Sequence, residues 1–209
     1  MRGVTLGARK NEGLTMRHLT LDVIHEEHQA LAAMLRSLLM LLTHARHAGT
    51  APDFSVLRAM LFYVDEFPER LHHTKESQLL FPLLRQRAPE LGPVLDRLDA
   101  EHSRGEAAIR ELEHTLLAYE VMGDSRRAAF QAAAERYVGF YLEHMALEEA
   151  ELLPAARRVF SADDWVALDA AFASNRDPLA GHEAPADYQP LFSKIVMRAP
   201  APVGLGPAL

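Results

Sequence analysis

Two histidine–glutamate pairs are the residues of this sequence best placed for chemistry. In the first pair His72 precedes Glu76 by four residues, and in the second His144 precedes Glu148 by the same spacing. Side chains four residues apart lie on one face of a helix. That face is predicted to point into a core, because around the first pair it also carries Leu71, Leu79 and Leu83. A buried imidazole beside a buried carboxylate is unfavourable unless both are satisfied, and a bound metal ion would satisfy both.

Four long helices are predicted to position these pairs, because apolar residues recur at spacings of three and four. The first helix runs from about Leu19 to Ala48. A turn at Pro89 separates the second helix from the third, and one at Gly123 separates the third from the fourth, which ends near Phe160. Helices with short connections pack most simply as an all-α, up-down-up-down four-helix bundle. We assign a flexible N-terminal tail to residues 1–18, the bundle to 19–160, and a short extra helix with a Pro/Gly-rich C-terminal extension to 161–209.

Several helix ends and one bend are predicted from single residues. Asp53 is expected to cap the second helix, and Asp124 or Ser125 the fourth. Ser161, which acidic residues follow, is expected to cap the short extra helix. Pro68 lies inside the second helix and removes a backbone donor, so a kink is predicted just before the first histidine–glutamate pair.

Each long helix places one histidine on its apolar stripe: His28, His72, His102 and His144. A single core histidine is most often hydrogen-bonded and structural, and a single histidine–glutamate pair also arises on solvated faces. One interior histidine on every helix, with two glutamates one turn further on, is not expected of a bundle without a site. Four imidazoles and two carboxylates exceed the needs of one tetrahedral zinc ion. They suit two six-coordinate ions that share the carboxylates, and nitrogen and oxygen donors favour non-haem iron.

Other polar residues near the stripes are candidates for lesser roles. His25 lies at the edge of the first stripe, and His73 lies roughly 80° from the centre of the second, so it is expected to be exposed or to support another residue. Glu26 and Glu27 are expected to be solvated flanks. Candidates to hold the imidazoles through their second nitrogen are Glu101, His25, Tyr137 and Tyr141.

Composition and charge narrow the remaining possibilities. The net charge of −7 argues against nucleic-acid binding. The chain has no cysteine, which excludes disulfides and thiolate metal sites. Its longest apolar run is far shorter than the ~20 residues that cross a bilayer, and its first residues do not resemble a signal peptide. A cytoplasmic protein without membrane contact is the expectation.

These residues, taken together, resemble the hemerythrin-like HHE cation-binding domains over roughly residues 20–173. The matching motifs are His25-Glu26-Glu27-His28, His72-His73-Thr74-Lys75-Glu76 followed by Leu-Leu-Phe-Pro, Glu101-His102, and His144 to Glu149. The resemblance implies a bundle that binds two iron ions in an oxo- and carboxylate-bridged diiron centre. Its implied ligands are His28, His72, His102 and His144, with Glu76 and Glu148 as bridges.

One position departs from the oxygen-carrying members of that family. Those carriers have a fifth histidine one turn after the third-helix ligand, where this chain has Glu106. A carboxylate there would make one iron harder and more easily oxidised, which weakens the case for simple O2 carriage. His25 or His73 is a candidate for the missing nitrogen, and Tyr63 or Tyr141 for a vacant position.

Three functions remain open at this point. The first is a non-enzymatic diiron protein that binds or senses O2, NO or iron itself. The second is a diiron oxidoreductase acting on hydrogen peroxide or NO, which the glutamate at position 106 favours. The third is a helical interaction module without metal. Sensing would need a homodimer or a protein partner, and the apolar stretch Tyr188–Met197 in the C-terminal extension is the candidate contact.

Overall fold

The computed structural model describes residues 17–175 and 177–206, and these residues form helices with no strand among them. Residues 1–16 of the predicted N-terminal tail lie outside the described residues. The first helix is Leu19–His47, the third Gly92–Met122, the fifth Ala162–Phe172 and the C-terminal helix Gln189–Arg198. The second helix (residues 54–87) and the fourth (residues 127–159) each combine α-helical and π-helical segments. Short 3-10 turns lie at Pro89–Leu91, Gly123–Arg126, Pro178–Ala180 and Ala186–Tyr188.

Three π-helical segments interrupt the second and fourth helices at the histidine–glutamate pairs. They are Asp65–His72, Glu76–Leu80 and Glu148–Leu152. A proline lies inside the first segment and two residues beyond the end of each of the others: Pro68, Pro82 and Pro154. Proline has no N–H to give to the carbonyl four residues before it, and a π turn, which bonds five residues back, is one way to accommodate that loss. The structure therefore has a π-helical segment where the sequence predicted a kink.

The predicted caps are confirmed at two of three helix starts. Asp53 accepts hydrogen bonds from the backbone N–H groups of Ser55 and Val56. Ser161 forms a capping box with Asp164, since each side chain bonds the other residue's backbone N–H. The prediction of a cap at Asp124 or Ser125 was wrong, because both residues lie in the 3-10 turn that leads directly into the fourth helix.

Two apolar clusters fill the bundle, and the four long helices pack around them. The Trp165 cluster includes Ile24, Phe81, Leu98 and Leu152. The Phe130 cluster includes Leu31, Val64, Ile109 and Tyr141. In each long helix the interior histidine lies between a residue of one cluster and a residue of the other. A polar layer therefore separates the two clusters, and every long helix contributes to it.

The fifth helix closes the Trp165 end of the bundle. Trp165 and Phe172 are buried, and Asp169 accepts hydrogen bonds from both the backbone N–H and the hydroxyl of Thr20 at 2.8 and 2.7 Å. These contacts bind the fifth helix to the start of the first helix. They also fix where the chain leaves the fifth helix, next to the polar layer.

The C-terminal helix packs against the second helix. Phe192 and Ile195 are buried, and the ring of Phe192 meets those of Tyr63 and Phe67 edge to face. This apolar stretch of the extension thus contacts its own chain, and a partner contact through its remaining surface stays a prediction. None of the helices in the described part of the chain has the length and apolarity needed to cross a membrane.

Candidate metal centre

Seven buried side chains meet in the polar layer between the two apolar clusters. They are His28, His72, His73, Glu76, His102, His144 and Glu148, and each is at most 7% exposed. The six predicted metal ligands are all among them. Three overlapping groups of these side chains place their ligand atoms within 4.8 Å of one another.

One half of the cluster is built by the first two helices. The Nε2 atoms of His28 and His72 are 3.2 Å apart. His72 Nε2 is 3.2 Å from Oε1 of Glu76, one turn further along the same helix. His28 Nε2 is 3.3 Å from Oε2 of Glu148, which comes from the fourth helix. Two imidazoles and two carboxylates therefore face one point.

The other half repeats this arrangement with the last two helices. The Nε2 atoms of His102 and His144 are 3.0 Å apart. His144 Nε2 is 3.4 Å from Oε1 of Glu148, and His102 Nε2 is 3.6 Å from Oε2 of Glu76. Each glutamate thus directs one carboxylate oxygen to each histidine pair, which is the geometry of a carboxylate shared by two ions.

The second ring nitrogen of every histidine in the cluster is engaged elsewhere. His72 Nδ1 is 2.7 Å from Glu27, and His144 Nδ1 is 2.9 Å from Glu101. The remaining Nδ1 contacts join His28 to Glu149 at 3.1 Å, His73 to Glu69 at 3.2 Å, and His102 to Ser77 at 2.8 Å. A carboxylate can only accept a hydrogen bond, so the Nδ1 atoms that face one carry the proton. In the neutral imidazole their Nε2 atoms then present lone pairs to the cluster, as in a metal-binding histidine.

These donors fit a metal ion better than they fit each other. Two Nε2 lone pairs at 3.0–3.2 Å repel unless a cation or a proton lies between them. Both oxygens of Glu76 and both of Glu148 are buried without a hydrogen-bond partner among the described residues. Leaving buried carboxylate oxygens unsatisfied is costly. A cationic centre would resolve both problems.

The pKa values describe the same site without metal. Burial would raise the pKa of Glu148, but the charge of His144, 3.4 Å away, holds it well below its usual value. Burial would lower the pKa of His144, but Glu148 raises it to about 9. Burial and the neighbouring His73 lower the pKa of His102 to about 3. An ionised glutamate and a neutral His102 are the protonation states in which these residues bind metal.

His73 lies inside the cluster, so of the positions expected for it an exposed one was wrong, while a supporting role or a ligand role stays a prediction. It is 4% exposed, and its ring stacks on that of His102 with centroids 4.3 Å apart. Leu71 and Leu79, predicted to share the core face, are instead 47% and 40% exposed. The π-helical segments on either side explain both errors, because they turn the chain by less than 100° per residue. Two consecutive histidines can then face the same interior.

The structure does not bring the other candidates to the cluster. His25 lies at the surface, where its Nδ1 is 3.3 Å from Glu149. Glu106 is exposed. The hydroxyl of Tyr63 is buried and donates to Asp177 at 2.5 Å.

Tyr141 lies next to the cluster but bonds to a glutamate. Its hydroxyl and that of Tyr137 both donate to Oε1 of Glu69, while Oε2 of Glu69 faces His73 at 3.2 Å. Burial raises the pKa of both phenols well above the ordinary value. The two tyrosines therefore act on His73 through Glu69, and not by direct contact with an imidazole nitrogen.

Three of the residues that hold the imidazoles, Glu27, Glu69 and Ser77, were missed in the sequence. Glu27 was expected to be a solvated flank, and this was wrong, because it is 9% exposed and bonds His72. No role was predicted for Glu69 or for Ser77. A repeated dipeptide was the available signal: Glu27 precedes His28 as Glu101 precedes His102, and each of these glutamates holds the histidine of the next helix.

Comparison with known proteins agrees with this geometry. The family model of the hemerythrin HHE cation binding domain matches residues 19–156, more than half of the chain. A search of the curated proteins found no match. The matched range contains all seven residues of the cluster and ends before the fifth helix. The chain therefore belongs to the hemerythrin HHE cation-binding domain family.

Proposed function

We propose that this chain holds two iron ions in the histidine–glutamate cluster and binds or senses O2 or NO there without turning it over. The observation that carries the proposal is the position of the two carboxylates. Each of Glu76 and Glu148 directs one oxygen to each pair of imidazole Nε2 atoms. Bound iron would supply open coordination positions and the Fe(II)/Fe(III) couple with which these small ligands react.

The distances between the donor atoms support a ligand assignment. His28 and His72 would hold the first ion, His102 and His144 would hold the second, and Glu76 and Glu148 would bridge the two beside a solvent-derived oxo group. His73 is the candidate third imidazole of the second ion, since its ligand nitrogen lies within 4.8 Å of those of His102 and His144. The second ion would then have one more imidazole ligand than the first, so the first ion would have more room for a small ligand.

The up-down-up-down order of the four long helices is part of the same proposal. The first and third helices reach their histidine from the Trp165 cluster, through Ile24 and Leu98, and continue into the Phe130 cluster. The second and fourth reach theirs from the Phe130 cluster, through Val64 and Tyr141, and continue into the Trp165 cluster. This alternation supports helices that cross the polar layer in opposite directions.

The types of donor favour iron over other metals. Two side chains, Glu106 and His73, favour ligand binding over turnover. The cluster offers imidazole and carboxylate donors and no thiolate, a set typical of non-haem iron. The argument for an oxidoreductase depends on a glutamate ligand at position 106, and Glu106 is exposed. With His73 as a ligand instead, the ligation would be rich in nitrogen. Nitrogen-rich ligation supports reversible binding of O2 or NO.

The proposal is tested by metal content and absorption of protein purified from iron-supplemented cells. We expect about two irons per wild-type chain, with near-ultraviolet charge-transfer bands from the bridge. Glu76→Ala should lose most of the iron and the bands, because a bridging carboxylate contacts both ions. The matched control is Glu106→Ala, which removes the same charge at the surface and should keep wild-type iron content.

Two results would oppose the proposal. Wild-type protein without iron or bands, even after reconstitution with Fe(II), would leave the cluster with a purely structural role. Steady-state consumption of hydrogen peroxide or NO by the iron-loaded protein, lost in His72→Ala, would favour the oxidoreductase instead.

A further inference from the structure

A segment outside the matched family region reaches the cluster behind His72. Asn175 follows the fifth helix, and its side chain is 3% exposed. Its amide Nδ2 donates to Oε2 of Glu27 at 2.8 Å. The same oxygen of Glu27 accepts from Nδ1 of His72 at 2.7 Å. Asn175 is therefore two hydrogen bonds from Nδ1 of His72, whose other ring nitrogen, Nε2, faces the candidate metal centre.

Asn175 is itself held in place from two directions. Its backbone N–H donates to the carbonyl of Phe172 at 2.9 Å. Its side-chain carbonyl accepts from Nζ of Lys75, and the same ammonium donates to the carbonyl of Ala171 at 3.1 Å and to Ser174 Oγ at 2.7 Å. Lys75 lies on the second helix between His72 and Glu76. The side chain of Asn175 is therefore connected to this helix twice: its amide reaches His72 through Glu27, and its carbonyl accepts from Lys75.

The equivalent contact in the other half of the cluster is built differently. Glu101 holds His144, and the outer partner of Glu101 is Arg97, one turn before it on the same helix at 2.7 Å. Arg97 is 54% exposed, so water can replace it. Asn175 comes instead from a distant part of the chain and is buried. If it were lost, no water could easily take its place as the second donor to Oε2 of Glu27.

We propose that Asn175 is a positioning residue of the metal centre, which fixes Glu27 and through it the orientation of the His72 imidazole. This inference rests on the proposed function. It implies that the segment after the fifth helix completes the site, although the family match ends at residue 156. Groups that hold a ligand histidine through its second nitrogen typically change metal affinity by about 10- to 100-fold.

The test is the apparent Kd for Fe(II), measured by anaerobic calorimetric titration of the metal-free full chain. We expect Asn175→Ala to weaken Fe(II) binding by about tenfold. The matched control is Ser174→Ala, which removes a neighbouring contact to Lys75 without touching Glu27, and it should bind as the wild type does. Equal affinities of Asn175→Ala and wild type, or an equal loss in both variants, would overturn the inference.

A lower melting temperature of metal-free Asn175→Ala with unchanged Fe(II) affinity would also overturn it, because a merely structural role predicts that result. Asn175→Asp keeps the size of the side chain and the acceptor for Lys75 but replaces the donor to Glu27 with a carboxylate. It should weaken Fe(II) binding at least as much as Asn175→Ala, and wild-type affinity in this variant would contradict the inference.

A double-mutant comparison tests whether Asn175 acts through Glu27. Glu27→Gln should weaken Fe(II) binding, and adding Asn175→Ala to it should change the affinity little further, because the contact is already altered. Independent, additive losses would overturn the positioning role. Wild-type protein that binds no Fe(II) is a separate result, which would overturn the proposed function and the inference with it.

Discussion

Gly105 has no side chain, and this allows the third and fourth helices to approach closely beside the cluster. A Cβ at Gly105 would overlap the hydroxyl oxygen of Tyr141 and lie 3.0 Å from Oε1 of Glu69. That hydroxyl is not free to move, because it donates to the same buried glutamate. Gly105 therefore protects the contact between Glu69 and His73.

We predict that Gly105→Ala destabilises the fold by about 1–3 kcal/mol, the usual range for overpacking a filled core. Urea denaturation monitored by circular dichroism measures the change. The matched control is Gly139→Ala, where an added Cβ meets nothing within 4 Å, and it should stabilise the fourth helix by up to ~1 kcal/mol. The double variant Gly105→Ala/Tyr141→Phe should recover part of the loss. Wild-type stability of Gly105→Ala would contradict this account of the close approach.

At the scale of helices, the α-helical pattern predicted most of the structure and failed at the π-helical turns. The four histidines and two glutamates now seen in the cluster were predicted to be interior because each lies one helical turn from its neighbours. The exposed position considered for His73 and the core positions predicted for Leu71 and Leu79 were wrong, because that projection assumes 100° per residue through Asp65–Leu80, where two π-helical segments intervene. The prolines indicate a disturbance in the helix, but local sequence does not distinguish a kink from a π turn.

The fifth helix provides a prediction at this scale, since one cap fixes its start. Ser161 and Asp164 exchange hydrogen bonds with each other's backbone at 3.2 and 2.8 Å, and the backbone bond lowers the pKa of Asp164. Ser161→Ala should reduce the free energy of unfolding by about 1 kcal/mol, as loss of an N-cap usually does. Chemical denaturation measures this.

The matched control for the cap is a serine that bonds within a helix. Ser103 donates to the carbonyl of Asp99 from an exposed position in the third helix, so Ser103→Ala should change stability little or increase it slightly. A loss in Ser103→Ala as large as that in Ser161→Ala would show that the capping box has no special effect on stability.

At the scale of the whole molecule, the two halves of the bundle repeat one plan. In each half, one helix carries a Glu-His dipeptide. The next helix carries a histidine, a glutamate four residues later and a proline six residues after that glutamate, as in Glu76 to Pro82 and Glu148 to Pro154. Sequence periodicity predicted the interior histidines, but the pairing of Glu27 with His72 and of Glu101 with His144 joins different helices. Contacts between helices depend on their relative rotation, which local patterns leave undetermined.

This plan predicts that the stability of the whole molecule depends on bound metal. Without a cation, the four carboxylate oxygens of Glu76 and Glu148 stay buried and lack a hydrogen-bond partner in the described part of the chain, so removing bound metal with a chelator should lower the melting temperature. Binding at a free metal concentration of 100 times Kd contributes about 2.7 kcal/mol per site, or several degrees for a chain of this size. Differential scanning calorimetry with and without chelator measures the shift.

A Glu76→Ala/Glu148→Ala variant should melt at the same temperature in both conditions, since it holds no metal to lose. If the wild type also melts at one temperature with and without chelator, the cluster is not a stabilising metal centre, and the metal-free interaction module becomes the better description.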